Sequence, residues 1–141
     1  MNKRLNILVA NDDGIASPGL LRLANAAARL GDVWVAAPAG QCSGMSQKIT
    51  IAGEISVEKR DFPADVKAAY AIGGTPADCV KTAIKSLLPV KPDVVFSGIN
   101  SGFNTGFDIA YSGTVGAAME ALLNGVPAIA FSETHVGCRE V

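Results

Sequence analysis

Apolar residues along this chain fall into short, branched runs separated by stretches with helical spacing. Leu5 to Ala10 is apolar except for Asn6, which is the length and composition of a buried strand rather than a helix. Pro18-Gly19 then opens a stretch with apolar residues at Leu20, Leu23, Ala24, Ala27 and Ala28. That spacing predicts a one-faced helix, with Gly31 as its stop. Asp32 to Ala37 is a second strand-like run, halted by Pro38. Strand, helix and strand in this order predict a right-handed crossover and a parallel pair. Residues 47–58 and 68–72 alternate in the manner of extended strands, with Ile49, Ile51, Ile55 and Val57 in step. They predict a β-excursion around residues 46–72, such as a hairpin.

The second half repeats the alternation. Thr75-Pro76-Ala77-Asp78 supplies an N-cap, a first-turn proline and an acid at N3, the start of a helix. Val80, Ala83, Ile84, Leu87 and Leu88 form its apolar face before Pro89. Asp93 to Ser97 reads as another buried strand, followed by a glycine-rich loop from Gly98 to Gly106. Ser112 predicts the N-cap of a helix carrying Val115, Met119, Leu122 and Leu123, closed by Asn124-Gly125; Ala128 to Phe131 is the last strand. The whole pattern predicts an α/β fold with a mostly parallel sheet.

Composition narrows this further. The chain has 141 residues, enough for one domain with a real core. Small and branched apolar residues dominate and aromatics are 6%, which suits helices packed closely on a buried parallel sheet. Net charge is −1 and no arginine-rich tail is present, arguing against electrostatic binding to a nucleic-acid polymer. No apolar stretch is long enough to span a bilayer, and the N-terminal run is too short for a signal peptide. Cys42, Cys79 and Cys138 are odd in number with no CxxC pair. They predict reduced thiols in a cytoplasmic setting rather than a disulfide frame or a zinc site. The expected division is a core over residues 1–132 and a tail over 133–141, truncated or completed by a partner on the open side.

Chemistry concentrates after the predicted strands. Asp12 and Asp13 stand side by side in an Asn-Asp-Asp-Gly turn behind the first run. Ligands bind at the C-terminal edge of open α/β sheets, and adjacent carboxylates repel unless a cation or a shared proton intervenes. The pair therefore predicts a hard divalent cation, Mg²⁺ or Mn²⁺, on oxygen ligands. Ser43 and Asn100 are neutral oxygen donors after two other strands, although Ser43 taken alone is an ordinary turn residue. If the strands are parallel, all three loops meet at one edge. The glycines of the 98–106 loop expose backbone N–H groups of the kind that bind anions. Ser112-Gly113-Thr114 places two hydroxyls at a helix N-terminus, a phosphate seat as well as a cap. Gly74 to Asp78 is explained by capping alone. His135, the single histidine, is incidental or a proton donor to a leaving group.

Five ordered motifs resemble the SurE family of stationary-phase survival proteins. They are Asn11-Asp12-Asp13-Gly14 with Pro18-Gly19; Ala37-Pro38 with Ser43-Gly44; Gly74 to Val80; Ser97 to Gly106; and Tyr111 to Val115. The resemblance covers residues 5 to about 132. It implies a three-layer Rossmann-like sandwich and a homodimer or homotetramer. It implies a metal-dependent phosphatase acting on nucleoside 5′- and 3′-monophosphates, sometimes on short polyphosphate. It assigns Asp12, Asp13, Ser43 and Asn100 to the metal, and Asn104, Ser112, Gly113 and Thr114 to the phosphate. Members of the family run on for roughly another hundred residues, which this chain lacks.

The expected chemistry is phosphomonoester hydrolysis, with Asp12 or Asp13 as base or nucleophile. Phe103, Phe107 and Tyr111 are available to stack on a base, or simply to pack. One alternative is a fragment that binds metal or nucleotide without turnover. A phosphoacceptor receiver domain is a weaker one, because Asn100 stands where its aspartate belongs and no lysine follows Phe131. A haloacid-dehalogenase-type phosphatase requires an acid spacing that Asp12-Asp13 lacks.

Overall fold

The computed structural model describes residues 3–134. His135, Cys138 and most of the expected 133–141 tail lie outside the described residues. In chain order the elements are β1 (Leu5–Ala10), α1 (Pro18–Ala28), β2 (Gly31–Pro38), β3 (Val57–Arg60) and β4 (Ala68–Ile72). They continue with α2 (Pro76–Thr82), a π-helical turn (Ala83–Leu87), β5 (Val94–Ser101), α3 (Asp108–Tyr111), α4 (Gly113–Leu123) and β6 (Ala128–Glu133). The strands form one sheet in the order β3-β4-β2-β1-β5-β6. All neighbours are parallel except β3 and β4.

Side-chain alternation on the central strands builds three layers. Ile7 and Val9 of β1, with Val33 and Val35 of β2, face Leu20, Leu23, Ala24 and Ala27 of α1. Leu8, Ala10, Trp34 and Ala36 face the other way, onto Val80 and Ala83 after β4 and onto Ala117 and Ala121 of α4. Residues Ile7 to Ala10 are fully buried; a strand covered on both faces is apolar throughout rather than alternating.

Local chemistry sets the helix starts. Ser17 accepts from Leu20 N at 3.2 Å with Pro18 at the first position. Thr75 and Asp78 form a capping box around Pro76. Ser112 accepts from Val115 N at 3.2 Å. Each satisfies backbone donors that the first helical turn leaves without an internal partner.

Two expectations need correction. Gly31 does not stop α1, which is closed at Arg29; it is the first residue of β2. A Cβ there would lie 2.1 Å from Leu5 O, so the residue is small because β1 runs against it. The excursion is narrower than expected. Residues 47–56 form no strand; β4 joins the main sheet beside β2, and β3 is an antiparallel edge strand on β4. The 47–56 segment is instead tied down by side chains: Thr50 N and Oγ1 donate to Asp78 at 2.9 and 2.7 Å, and Thr75 Oγ1 donates to Lys48 O.

Candidate functional site

Parallel neighbours β2, β1 and β5 end side by side, so the loops after them share one edge of the sheet. Between these loops and the start of α4 lies a cavity of about 330 Å³. Asp12, Asp13, Ser43, Asn100, Asn104 and Ser112 all line it. Six of the eight residues expected to carry chemistry therefore meet there; Gly113 and Thr114 sit behind it.

The turn after β1 is built by Asn11, which is fully buried. Its Nδ2 donates to Gly14 O and to Ser17 Oγ, both at 2.9 Å, and its Oδ1 accepts from Gly14 N at 3.2 Å. These bonds fasten the turn to the cap of α1 and fix where the next two carboxylates point. Asp12 is buried at 4% exposure, and its Oδ1 accepts from Thr114 Oγ1 at 2.9 Å. Burial pushes the Asp12 carboxyl above its ordinary value; the Thr114 hydroxyl opposes this, and the charge of Asp13 adds to it. Thr114 was expected at the phosphate, yet its hydroxyl is engaged with Asp12. Gly113 backs the same carboxylate: a Cβ there would lie 2.9 Å from Asp12 Cβ and 3.0 Å from Pro76 Cγ.

Asp13 is half-buried and accepts from Ser101 N at 3.2 Å. Asn100 donates its Nδ2 to Gly102 O at 2.8 Å, which leaves its carbonyl oxygen for the cavity. Ser43 Oγ accepts from Gln41 Nε2 at 3.1 Å. Asn104 Nδ2 donates to Ser132 Oγ at 2.8 Å.

Gln41 and Asp108 also line the cavity, and neither was expected to carry chemistry there. Gln41 lies in the loop after β2, and Asp108 is the first residue of α3. Asn11 was legible as an Asx-type turn residue. The two hydrogen bonds from Thr50 to Asp78 had no local signal, because the partners are 28 residues apart.

No lysine or arginine lines this cavity among the described residues. Three carboxylates line it, Asp12, Asp13 and Asp108, with Asp12 desolvated, and neutral oxygens from Ser43 and Asn100 stand beside them. Among the described residues no cluster of three or more His, Cys, Asp or Glu side chains is grouped for a metal. The donor set is thus oxygen-only and short of positive charge, which fits a hard divalent cation and not a thiolate or imidazole site.

The family model for the survival protein SurE matches residues 7–139. A 5′-nucleotidase SurE of Chlamydia felis is 45% identical over 142 residues, covering 98% of this chain and 52% of the relative. That of Pelobacter propionicus is 49% identical over 129 residues, covering 91% and 50%. The crystal structure of the SurE protein from Aquifex aeolicus superposes with a TM-score of 0.78 at 44% identity, over 90% of this chain and 50% of that one. The chain spans about half the length of the curated relatives it matches.

Proposed function

The chain belongs to the SurE family, and from that premise we propose that it is a divalent-metal-dependent phosphomonoesterase acting on nucleoside 5′- and 3′-monophosphates. The observation that carries the proposal is the meeting of Asp12 and Asp13 with Ser43 and Asn100 in one cavity that offers no cationic side chain. Relatives named 5′-nucleotidases support the substrate class. The fold order, with the site at the β2-β1-β5 edge, supports a ligand at the carboxyl ends of the strands.

In this reading Asp12, Asp13, Ser43 and Asn100 would hold Mg²⁺ or Mn²⁺. When bound, such an ion polarises a phosphoryl oxygen and lowers the pKa of a water. The remaining work falls to the chain. Thr114 keeps Asp12 in one orientation, and Asn11 keeps the turn. Ser112, Asn104 and the N–H groups of the glycine-rich stretch 98–106, which spans the end of β5 and the loop after it, seat the phosphate oxygens and stabilise charge on them. Gly113 and Thr114, in the first turn of α4, would lend N–H groups to that seat. Asp12 or Asp13 accepts the proton of the attacking water. The proposal includes a cytoplasmic homodimer or homotetramer. Among the described residues no helix is long and apolar enough to cross a membrane.

The test is phosphate release from a panel of nucleoside 5′- and 3′-monophosphates, with Mn²⁺, with Mg²⁺ and with chelator. Metal-dependent release is expected, and Asp13→Asn should lower it by about a hundredfold or more while the far-ultraviolet circular dichroism stays unchanged. Full activity in that variant would remove the aspartate pair from the mechanism. Release unaffected by chelator would remove the cation.

A further inference from the structure

Glu120 is a buried carboxyl on a face of α4 otherwise made of glycine, alanine and threonine; it is 6% exposed. Burying such a group costs stability unless its oxygens are paired. Oε1 accepts from Asn124 Nδ2 at 3.1 Å, a bond local to the helix end. Oε2 accepts from Gln47 Nε2 at 3.2 Å, across 73 residues of sequence. Gln47 belongs to the segment after β2 that also carries Ser43.

α4 meets that segment at successive turns. Just before the helix, Tyr111 O accepts from Ser46 N at 3.0 Å. One turn in, a Cβ on Gly116 would overlap Ser46 O. A turn further, on the same face, Glu120 takes Gln47. Ser46 is held there at φ 51°, the one non-glycine residue with positive φ among the described residues. Side chains rarely adopt that conformation. On its outer side the segment borders a cavity of about 240 Å³ lined by Ile109, Val115 and Met119, so core packing does not fix it from there. Upstream, Cys42 N donates to Asp12 O at 2.7 Å. Ser43 is thus strung between two ties, one to the turn of the acid pair and one to α4. Gly44 between them has φ 68°, and a Cβ there would meet nothing within 4 Å.

We propose that Glu120 and Gln47 are positioning residues: through their side-chain bond, α4 sets the place of Ser43 relative to Asp12. The consequence for a cation rests on the metal-dependent reading above. An apolar side chain at position 120 would cover the sheet without burying a polar group. The carboxyl is explained by the loop it holds. One helix then serves both halves of the site. Its N-terminal end backs Asp12 through Thr114, and its later turns fix the loop that brings Ser43.

The test is the Mn²⁺ dissociation constant of the 141-residue chain, read by isothermal titration calorimetry. Residues that orient metal ligands are worth about tenfold or more in affinity, and Gln47→Ala and Glu120→Ala should each weaken binding by about that factor. The double variant should bind no worse than the weaker single one, because the two act as a pair. Glu120→Gln should restore binding, since the Gln47 amide can turn over and exchange donor for acceptor. Leu23→Ala, which opens the core on the opposite face of the sheet, should lower the melting temperature and leave the constant within about twofold. A constant unmoved in both single variants, an equal loss in Leu23→Ala, or losses that multiply in the double variant would overturn the proposal. If the unaltered chain binds no Mn²⁺, the cation reading falls by itself, and the clamp is judged by amide hydrogen exchange over residues 42–48. Faster exchange in both single variants, reversed in Glu120→Gln, supports it; unchanged exchange overturns it.

Discussion

Asp12 depends on a neighbour 102 residues away. Its buried carboxylate has one side-chain donor, Thr114 Oγ1 at 2.9 Å. Replacing Thr114 by valine keeps the shape and removes the donor. A buried acceptor left without its partner costs about 1–3 kcal/mol. The expected outcome for Thr114→Val is a lower melting temperature in chelator and a smaller deficit in Mn²⁺, where the cation would give Asp12 a partner again. Thermal melts under the two conditions check this; an equal deficit in both would separate Thr114 from the metal site. Gly113→Ala acts on the same carboxylate by crowding. Its methyl would sit 2.9 Å from Asp12 Cβ, and overpacking of this kind costs about 1–3 kcal/mol. Turnover should fall more than stability does, because the side chain displaced carries the carboxylate proposed to hold the cation, whose Oδ2 would lie 3.3 Å from the new methyl. Both carboxylates were visible in the sequence as a pair after a buried strand. Their supports were not. The sequence suggested that the Thr114 hydroxyl faces phosphate; in the fold it donates to Asp12, because the start of α4 abuts the turn after β1.

At the level of elements, α2 does more than cover the sheet. Its capping box holds Asp78, and Asp78 in turn holds Thr50, anchoring a segment that has no strand of its own. Burial alone would raise the Asp78 carboxyl, but the bonds from Thr50 and Thr75 outweigh it and leave the pKa below its ordinary value. A carboxyl depressed in the folded state adds stability that is full above its unfolded pKa, about 3.9. That stability is lost as pH falls through the lower folded value. The difference in unfolding free energy between the unaltered chain and Asp78→Asn should therefore be constant above about pH 5 and shrink toward pH 3. Urea unfolding across that range checks it, and a difference that grows on acidification would contradict it. Asp78→Ala additionally loses the box, about 1 kcal/mol. Capping was readable from Thr75-Pro76-Ala77-Asp78 because a cap is local. The clamp on Thr50 was not, since alternating residues at 47–56 imitate a strand that finds no partner in the sheet.

For the molecule as a whole, the proposed cation should bind the folded chain and not the unfolded one. Stability then rises by about 2.7 kcal/mol when the metal is at a hundred times its dissociation constant. Melts in Mn²⁺ against chelator should show this rise, and Asp12→Asn should abolish it. A melting temperature indifferent to metal would count against the site. What the sequence by itself determined was local in origin: the buried strands, the helix caps at Thr75 and Ser112, the α/β class, and the acid pair behind β1. Each follows from residues within a few positions of one another, through hydrophobic period, cap geometry and turn chemistry. Five ordered motifs added the family. Tertiary structure alone decided the rest. The order β3-β4-β2-β1-β5-β6 makes neighbours of strands far apart in sequence, and so brings Asp12, Ser43 and Asn100 to one cavity. The same order assigned Gly31 to close strand packing, Thr114 to Asp12, and Gln41 to the wall of the carboxylate cavity. These roles depend on distances between segments separated by tens of residues, and such distances are set by how helices and strands pack, not by any local pattern in the chain.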